Sequence, residues 1–284
     1  MTAAIRDAEE RDFLAILQLN GLWEHVTSPL DVESLAALHE QAAYHRVAEI
    51  DGRVAGFLLA FAPGAQYESP NYLWFDRSDG DFLYIDRVVV DGASQGSGVG
   101  ALLYADVLAY ARERGVGRLV CEVDIEPLNA SSDAFHKRLG FVEVGTQYVG
   151  DGLKRVSLRE RVIQIRTERL LLRRWRPEDR APFAALNADP EVVAFLPKPL
   201  TRAESDAMIE RIERHFDEHG FGAWAVEAVG GEGFIGLVGL AHVGFDAPFV
   251  PAVEIGWRLS RESWGCGYAT EAARAALAYG FDTV

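Results

Sequence analysis

The chain repeats itself, and this constrains its fold more than any single motif. Gln95-x-x-Gly98-x-Gly100 is matched by Trp264-x-x-Gly267-x-Ala269, and Ala8-Glu9-Glu10-Arg11 is matched by Pro177-Glu178-Asp179-Arg180. Positions 98 and 267 lie 169 residues apart, as do positions 8 and 177. Two unrelated local matches at one offset point to a duplicated domain. At 284 residues the chain is long enough for two. We expect a first domain over 1–162 and a second over 163–284. At that offset Val284 corresponds to Gly115, so the second copy is expected to lack the closing strand-helix-strand-strand portion. Such a copy would be catalytically dead and would leave its last strand as an open edge.

Hydrophobic periodicity fills in each copy. In the first, helices are predicted over Glu9–Asn20 and Asp31–Tyr44, then strands Arg46–Ile50 and Arg53–Phe61 joined by the turn Asp51-Gly52. A long polar and aromatic loop, Gln66–Asp81, precedes the strand Phe82–Val90. Beyond the glycines come a helix Val99–Arg114, a strand Arg118–Ile125, a helix Ser131–Leu139 and strands Phe141–Tyr148 and Lys154–Arg159. The second copy opens with a strand Gln164–Arg174 and a helix near Pro177. A helix Thr201–Glu218 follows, Thr201 and Glu204 reading as a capping box. Strands Ala223–Ala228, Phe234–Val243 and Ala252–Leu259 and a helix from Tyr268 to about Tyr279 complete it. The fold class is α/β (α+β): two tandem folds, each a mixed, mostly antiparallel sheet flanked by helices, the second incomplete.

Composition excludes several functions. A net charge of −15 repels nucleic acid. No apolar run approaches the roughly 18 residues of a membrane span. The acidic N-terminus does not read as a signal peptide, so a cytoplasmic protein is expected. Cys121 and Cys266 stand apart without CxxC partners and read as reduced thiols. The seven histidines show no metal spacing, so no metal is expected.

The segment from Arg87 to Gly100 reads as a β-branched strand, a glycine-rich turn and a helix start. Glycines let the backbone turn sharply and approach a ligand. The first amides of a helix have no internal partner and carry partial positive charge, so a diphosphate fits there. A dinucleotide fingerprint would sit in the first βα unit, and a Walker loop would carry Gly-Lys-Ser/Thr; neither holds. A glycine turn without a ligand is the rival reading, weakened by the recurrence at the same offset.

Gln95-x-x-Gly98-x-Gly100 resembles the Q/R-x-x-G-x-G/A signature of the GNAT superfamily of N-acetyltransferases. Asn129-Ala-Ser-Ser-Asp-Ala-Phe135-His136-Lys-Arg-Leu-Gly140-Phe141 resembles its second motif. The first domain is similar to a little-characterised branch. The second resembles the branch that acetylates ribosomal-protein N-termini, through Trp264-Gly-Cys-Gly-Tyr268-Ala-Thr-Glu271-Ala. The resemblance implies acetyl-CoA as co-substrate and an amine acceptor, on a small molecule or a peptide N-terminus. It implies that Gln95, Gly96, Gly98, Val99 and Gly100 bind the coenzyme A pyrophosphate. Strand Phe82–Val90 would splay from Arg118–Ile125, and main-chain groups near Val88 and Val90 would hold the pantetheine arm and polarise the acyl carbonyl. Asn129 would touch the arm from the other side. In the second copy Trp264, Gly265, Gly267 and Ala269 preserve the cradle.

Transfer to an amine needs a neutral amine, a polarised carbonyl and a proton for the departing thiolate. The family tyrosine that gives this proton is replaced here by His136, which is either a donor or an ordinary histidine on a short helix. Glu122 and Asp86 are the candidate bases, with Glu254 in the second copy; each is also explained as an ordinary strand carboxylate. The aromatics Tyr67, Tyr72, Trp74 and Phe75 either line an acceptor pocket or pin their loop to the core. Trp23, His25 and Tyr44 are further acceptor-side candidates. Two rival functions stay open: a non-catalytic coenzyme-A-binding sensor or scaffold, and a second copy serving only for interaction or homodimerisation.

Overall fold

In the computed structural model, which describes residues 3–24, 27–77, 81–150, 152–231 and 233–283, the chain divides into units Met1–Ile163 and Gln164–Val284. The first unit runs β1 (Ala4–Asp7), a 3-10 turn Glu10–Asp12, α1 (Phe13–Leu22), α2 (Val32–Gln41), β2 (Tyr44–Ile50), β3 (Arg53–Phe61), α3 (Pro70–Asp76) and β4 (Phe82–Val90). It continues with α4 (Val99–Glu113), β5 (Arg118–Glu126), α5 (Ala130–Arg138), β6 (Val142–Val149) and β7 (Lys154–Val162). Its seven strands are ordered β1-β2-β3-β4-β5-β7-β6. Among the described residues its strands pair antiparallel except β4 with β5.

Alternation along β4 and β5 sends side chains to two cores. Leu83, Ile85, Leu119 and Cys121 pack with Leu103, Tyr104 and Val107 of α4. Phe82, Tyr84 and Val120 face the other way, with Tyr72 and Phe75 of α3.

The parallel register of β4 and β5 joins Phe82, Leu83 and Tyr84 to Arg118, Leu119 and Val120. Beyond Tyr84 and Val120 that pairing stops, while β4 stays paired with β3 to Val90 on its outer side and β5 with β7 on its own. The two strands therefore part into a fork at its Ile85 and Cys121 arms.

The second unit holds β8 (Gln164–Arg166), β9 (Leu170–Arg173), a 3-10 turn Pro177–Asp179, α6 (Arg180–Ala188) and α7 (Arg202–His219). β10 (Ala223–Ala228), β11 (Gly233–His242), β12 (Val253–Leu259) and α8 (Tyr268–Thr283) follow. Its five strands form one antiparallel sheet, β12-β11-β10-β9-β8. It is the shorter of the two, and among the described residues β12 pairs with β11 alone.

Several sequence expectations need correcting. The predicted strand Gln164–Arg174 is a hairpin, because the Thr167 hydroxyl accepts from the Leu170 amide at 3.0 Å and the Thr167 amide donates to the Leu170 carbonyl at 2.9 Å. The aromatic segment contains α3, opened by Pro70, where the missing N–H costs nothing. Tyr44 begins β2 opposite Ala60 and does not end α2. The capping box of Thr201 and Glu204 is present.

The repeat also has a finer register than the sequence suggested. Arg6 grips Asp12 through two bonds of 2.7 and 2.8 Å, and Arg173 grips Asp179 through two of the same lengths. Asp12 and Asp179 each accept the amide three residues before, from Glu9 and Arg176. This equivalence spans 167 residues, 12 to 179, so the Ala8/Pro177 match was two residues out of register. The glycine loops keep the 169 spacing: φ is 75° at Gly96 and 74° at Gly265, 90° at Gly98 and 79° at Gly267.

Candidate active site

The glycine turn is built for an anion. Gly96 and Gly98 both adopt left-handed backbone that other residues resist, and Gly98 is the N-cap of α4. No side chain caps that helix, so its first amides face the exposed loop without an internal partner. Gly100 has another reason to lack a Cβ: one would lie 3.3 Å from the ring of Phe135 on α5. The two sequence motifs are thus in contact, Phe135 of the second packing over the first turn of α4.

On β4 the Asp91 amide points to β3, donating to Ala55 at 2.9 Å. Alternation turns the Val90 and Val88 amides the other way, toward the fork. Across the fork, Asn129 caps α5, its Oδ1 accepting from the Ser132 amide at 3.1 Å.

Two residues past the last β4–β5 pair, Tyr84 with Val120, alternation brings Asp86 and Glu122 to the α3 side of the fork. Asp86 has a side chain 6% exposed, takes the Tyr67 hydroxyl at 2.5 Å and pairs with Arg87 Nε at 2.9 Å. Arg87 is itself held by Asn20 at 2.9 Å and by the Ser28 hydroxyl at 2.7 Å, which ties α1 and its following segment to β4. Glu122 accepts from the Tyr84 hydroxyl at 2.8 Å and from the Asn71 side chain. Burial raises the pKa of Asp86 in spite of Arg87. Burial, and then the negative charge of Asp86, push Glu122 up to about 8. The fork therefore carries two coupled carboxylates that resist ionising together.

The other candidates fall in various places. His136 is 4% exposed; its Nε2 lies 2.6 Å from the Tyr104 hydroxyl and its Nδ1 2.8 Å from the Ser132 carbonyl. Burial pushes its pKa down to about 4, so it is a neutral imidazole joining α5 to α4. Tyr72 and Phe75 are core residues, and Trp74 packs against Gly145, where a Cβ would come within 2.9 Å of the indole. Of the four aromatics named from that segment, Tyr67 is the one that hydrogen-bonds a candidate carboxylate, while Asn71 reaches the other. Tyr44 lies on the α4 side, donating to Asp106 at 2.7 Å, away from Asp86 and Glu122. Trp23 packs partly buried beside α1 and α2. His25 lies outside the described residues. Sequence reading missed Tyr84 and Asn71; their signal was position, Tyr84 two residues before Asp86 on the same strand face.

In the second unit Trp264 Nε1 donates to the Leu259 carbonyl at 2.9 Å, and Ala269 packs in the core below. Arg169 crosses the loop, donating to the Cys266 carbonyl at 3.0 Å and to Glu271 at 2.7 Å. Glu254 is exposed on β12. Cys121 is buried and Cys266 exposed, both free. No helix among the described residues is long and apolar enough to cross a membrane.

This arrangement, an uncapped helix start beside a forked parallel strand pair with carboxylates at the crotch, agrees with what comparison finds. Residues 2–141 match the acetyltransferase (GNAT) family and residues 169–284 the acetyltransferase (GNAT) domain. The uncharacterized protein YkkB of Bacillus subtilis (strain 168) is 32% identical over 117 residues, 41% of this chain and 67% of that protein. Similar solved structures include the ribosomal-protein-alanine N-acetyltransferase of Brucella melitensis, 26% identical, covering 56% of this chain and 99% of that one at a TM-score of 0.46. Another is yncA of Salmonella typhimurium, solved with acetyl-CoA, 22% identical over 59% and 97% at 0.47. The chain belongs to the GNAT family of N-acetyltransferases and carries two of its domains in tandem, the second the shorter.

Proposed function

We propose that the first unit transfers an acetyl group from acetyl-CoA to an amine of a small molecule or a peptide N-terminus. The observation that carries this reading is the fork: an open β4 edge, an uncapped α4 and a high-pKa carboxylate meet there and nowhere else among the described residues. The amides of Gly96, Gly98, Val99 and Gly100 would hold the pyrophosphate, with Gln95 at the loop's rim. The Val88 and Val90 amides would bind the arm and polarise the thioester carbonyl, with Asn129 opposite.

In this reading Glu122 is the base, positioned by Tyr84 and Asn71, and Asp86 tunes it through charge. The amine nitrogen attacks the carbonyl carbon as Glu122 takes its proton; the C–N bond forms, the C–S bond breaks, and the thiolate leaves with a proton from water, to which Glu122 returns its own. A base with a pKa near working pH suits that task. His136, with both nitrogens engaged, would have to break from Tyr104 to donate that proton, so we assign it to holding α5 in place. Both units keep the glycine turn; the first joins it to the parting strands β4 and β5 and to Glu122, so we assign turnover to the first unit. An exposed free cysteine and an acetyl-CoA donor fit the reducing cytoplasm.

The test is thiol release from acetyl-CoA by the full chain over a panel of amines, with Gly98→Val and Gly267→Val. Turnover lost in the first variant and kept in the second supports the reading. Binding of coenzyme A without thiol release from any amine would favour a sensor instead.

A further inference from the structure

His215 and His219 stand one turn apart on α7, so both rings lie on one face of the helix. The helix stops at Gly220, whose φ of 81° only glycine adopts easily, and the chain doubles back through Phe221 into β10. The neighbouring strand β11 ends at His242, and the three rings meet. Their centroids are 4.5 Å apart for His215 and His219, 4.7 Å for His219 and His242, and 5.4 Å for His215 and His242. One ring nitrogen from each lies within 4.8 Å of the other two. The expectation that the histidines show no metal spacing is therefore corrected: the i, i+4 pair was visible, while the third member arrives only through the sheet.

The tautomer of His215 is fixed. Its Nδ1 lies 2.7 Å from the Phe221 carbonyl, which can only accept, so the proton is on Nδ1 and the lone pair on Nε2. A histidine whose far nitrogen donates to a carbonyl is the usual partner arrangement behind a metal-binding imidazole. Here Nε2 takes a long 3.2 Å bond from the His242 amide, which an ion would displace. His219 and His242 are exposed, and the Glu218 carboxylate is 3.8 Å from His219 Nε2.

We propose that His215, His219 and His242 form a site for a transition-metal ion of the zinc class in the second unit. Three imidazoles with no oxygen cage suit zinc, nickel or copper, not magnesium or calcium. Tetrahedral zinc bonds of about 2.0–2.1 Å set nitrogens roughly 3.4 Å apart, so the rings must close slightly, and the two exposed ones have room to turn. The fourth position falls to water or Glu218. Bound there, the ion clips the end of α7 to the end of β11.

The test uses the full chain, stripped with chelator and titrated with zinc chloride by calorimetry, with cobalt(II) absorption as a reporter of tetrahedral nitrogen ligation. The expected result is one zinc per chain at micromolar affinity or tighter, with a rise in melting temperature. His219→Gln and His242→Gln should each fold, lose that rise and weaken binding at least roughly tenfold, the loss that deleting even an outer hydrogen-bond partner causes at metal sites. Binding only at millimolar zinc, or equal binding by both variants, overturns the proposal.

Discussion

The Tyr84 hydroxyl donates to Glu122 Oε2 at 2.8 Å, joining β4 to β5 where their backbone pairing ends. That bond fixes the carboxylate we assign as base, and Glu122 sits at about 8, so it is protonated at neutral pH and ionises as pH rises. Activity should climb through about pH 8. Glu122→Gln should lower kcat/KM by about a hundredfold or more and erase that limb of the pH profile. Asp86→Asn should move the limb to lower pH, because the negative charge holding Glu122 up is gone. A limb unmoved in both variants would assign it to another group.

Acid stability of the first unit should rest on two buried histidines. Burial lowers His45 and His136 to about 4 each, from 6.5. The unfolded chain takes up these protons near pH 6.5 and the folded chain does not. Their contribution is full above 6.5 and is lost as pH falls to about 4. Urea denaturation across that window should show the decline, and His45→Gln with His136→Gln should flatten it.

The two arginine clamps should differ in weight. Arg173 and Asp179 have side chains 5% and 3% exposed, whereas Arg6 is 27% exposed beside Asp12 at 6%. Asp179→Asn leaves the buried Arg173 guanidinium with Glu227, 2.6 Å from its Nε, as carboxylate partner and should cost about 1.5–3 kcal/mol in denaturant titration, the weight of hydrogen bonds to a charged group. Asp12→Asn should cost less, since water reaches Arg6.

Gly100→Ala probes the contact between the two motifs. Its Cβ would sit 3.3 Å from Phe135, so that ring must shift by a few tenths of an ångström. We expect a destabilisation of about 1 kcal/mol, and Phe135→Leu should relieve it in a double-mutant cycle.

The elements most legible in the sequence were those fixed by local chemistry. β3 and β4 begin and end where alternation and turn residues place them, and the glycine loop follows from left-handed backbone at Gly98. What was hidden depends on long-range pairing. β1 is too short for a periodic signal and exists through its register with β2. α3 is a short helix whose aromatics read as a loop until the sheet provides a face for Tyr72 and Phe75. The fork follows from where β4 and β5 stop pairing, a long-range feature, and so Tyr84 and Asn71 could not be linked to Glu122 beforehand. The buried setting of His136 was likewise set by Tyr104, 32 positions earlier on α4.

The most direct measurement is calorimetric titration of the full chain with coenzyme A, for wild type and Gly98→Val. The φ of 90° at Gly98 and the uncapped start of α4 predict binding by the wild type and loss of that component in the variant. Absence of heat in the wild type, or equal heat in a folded Gly98→Val, would contradict the account.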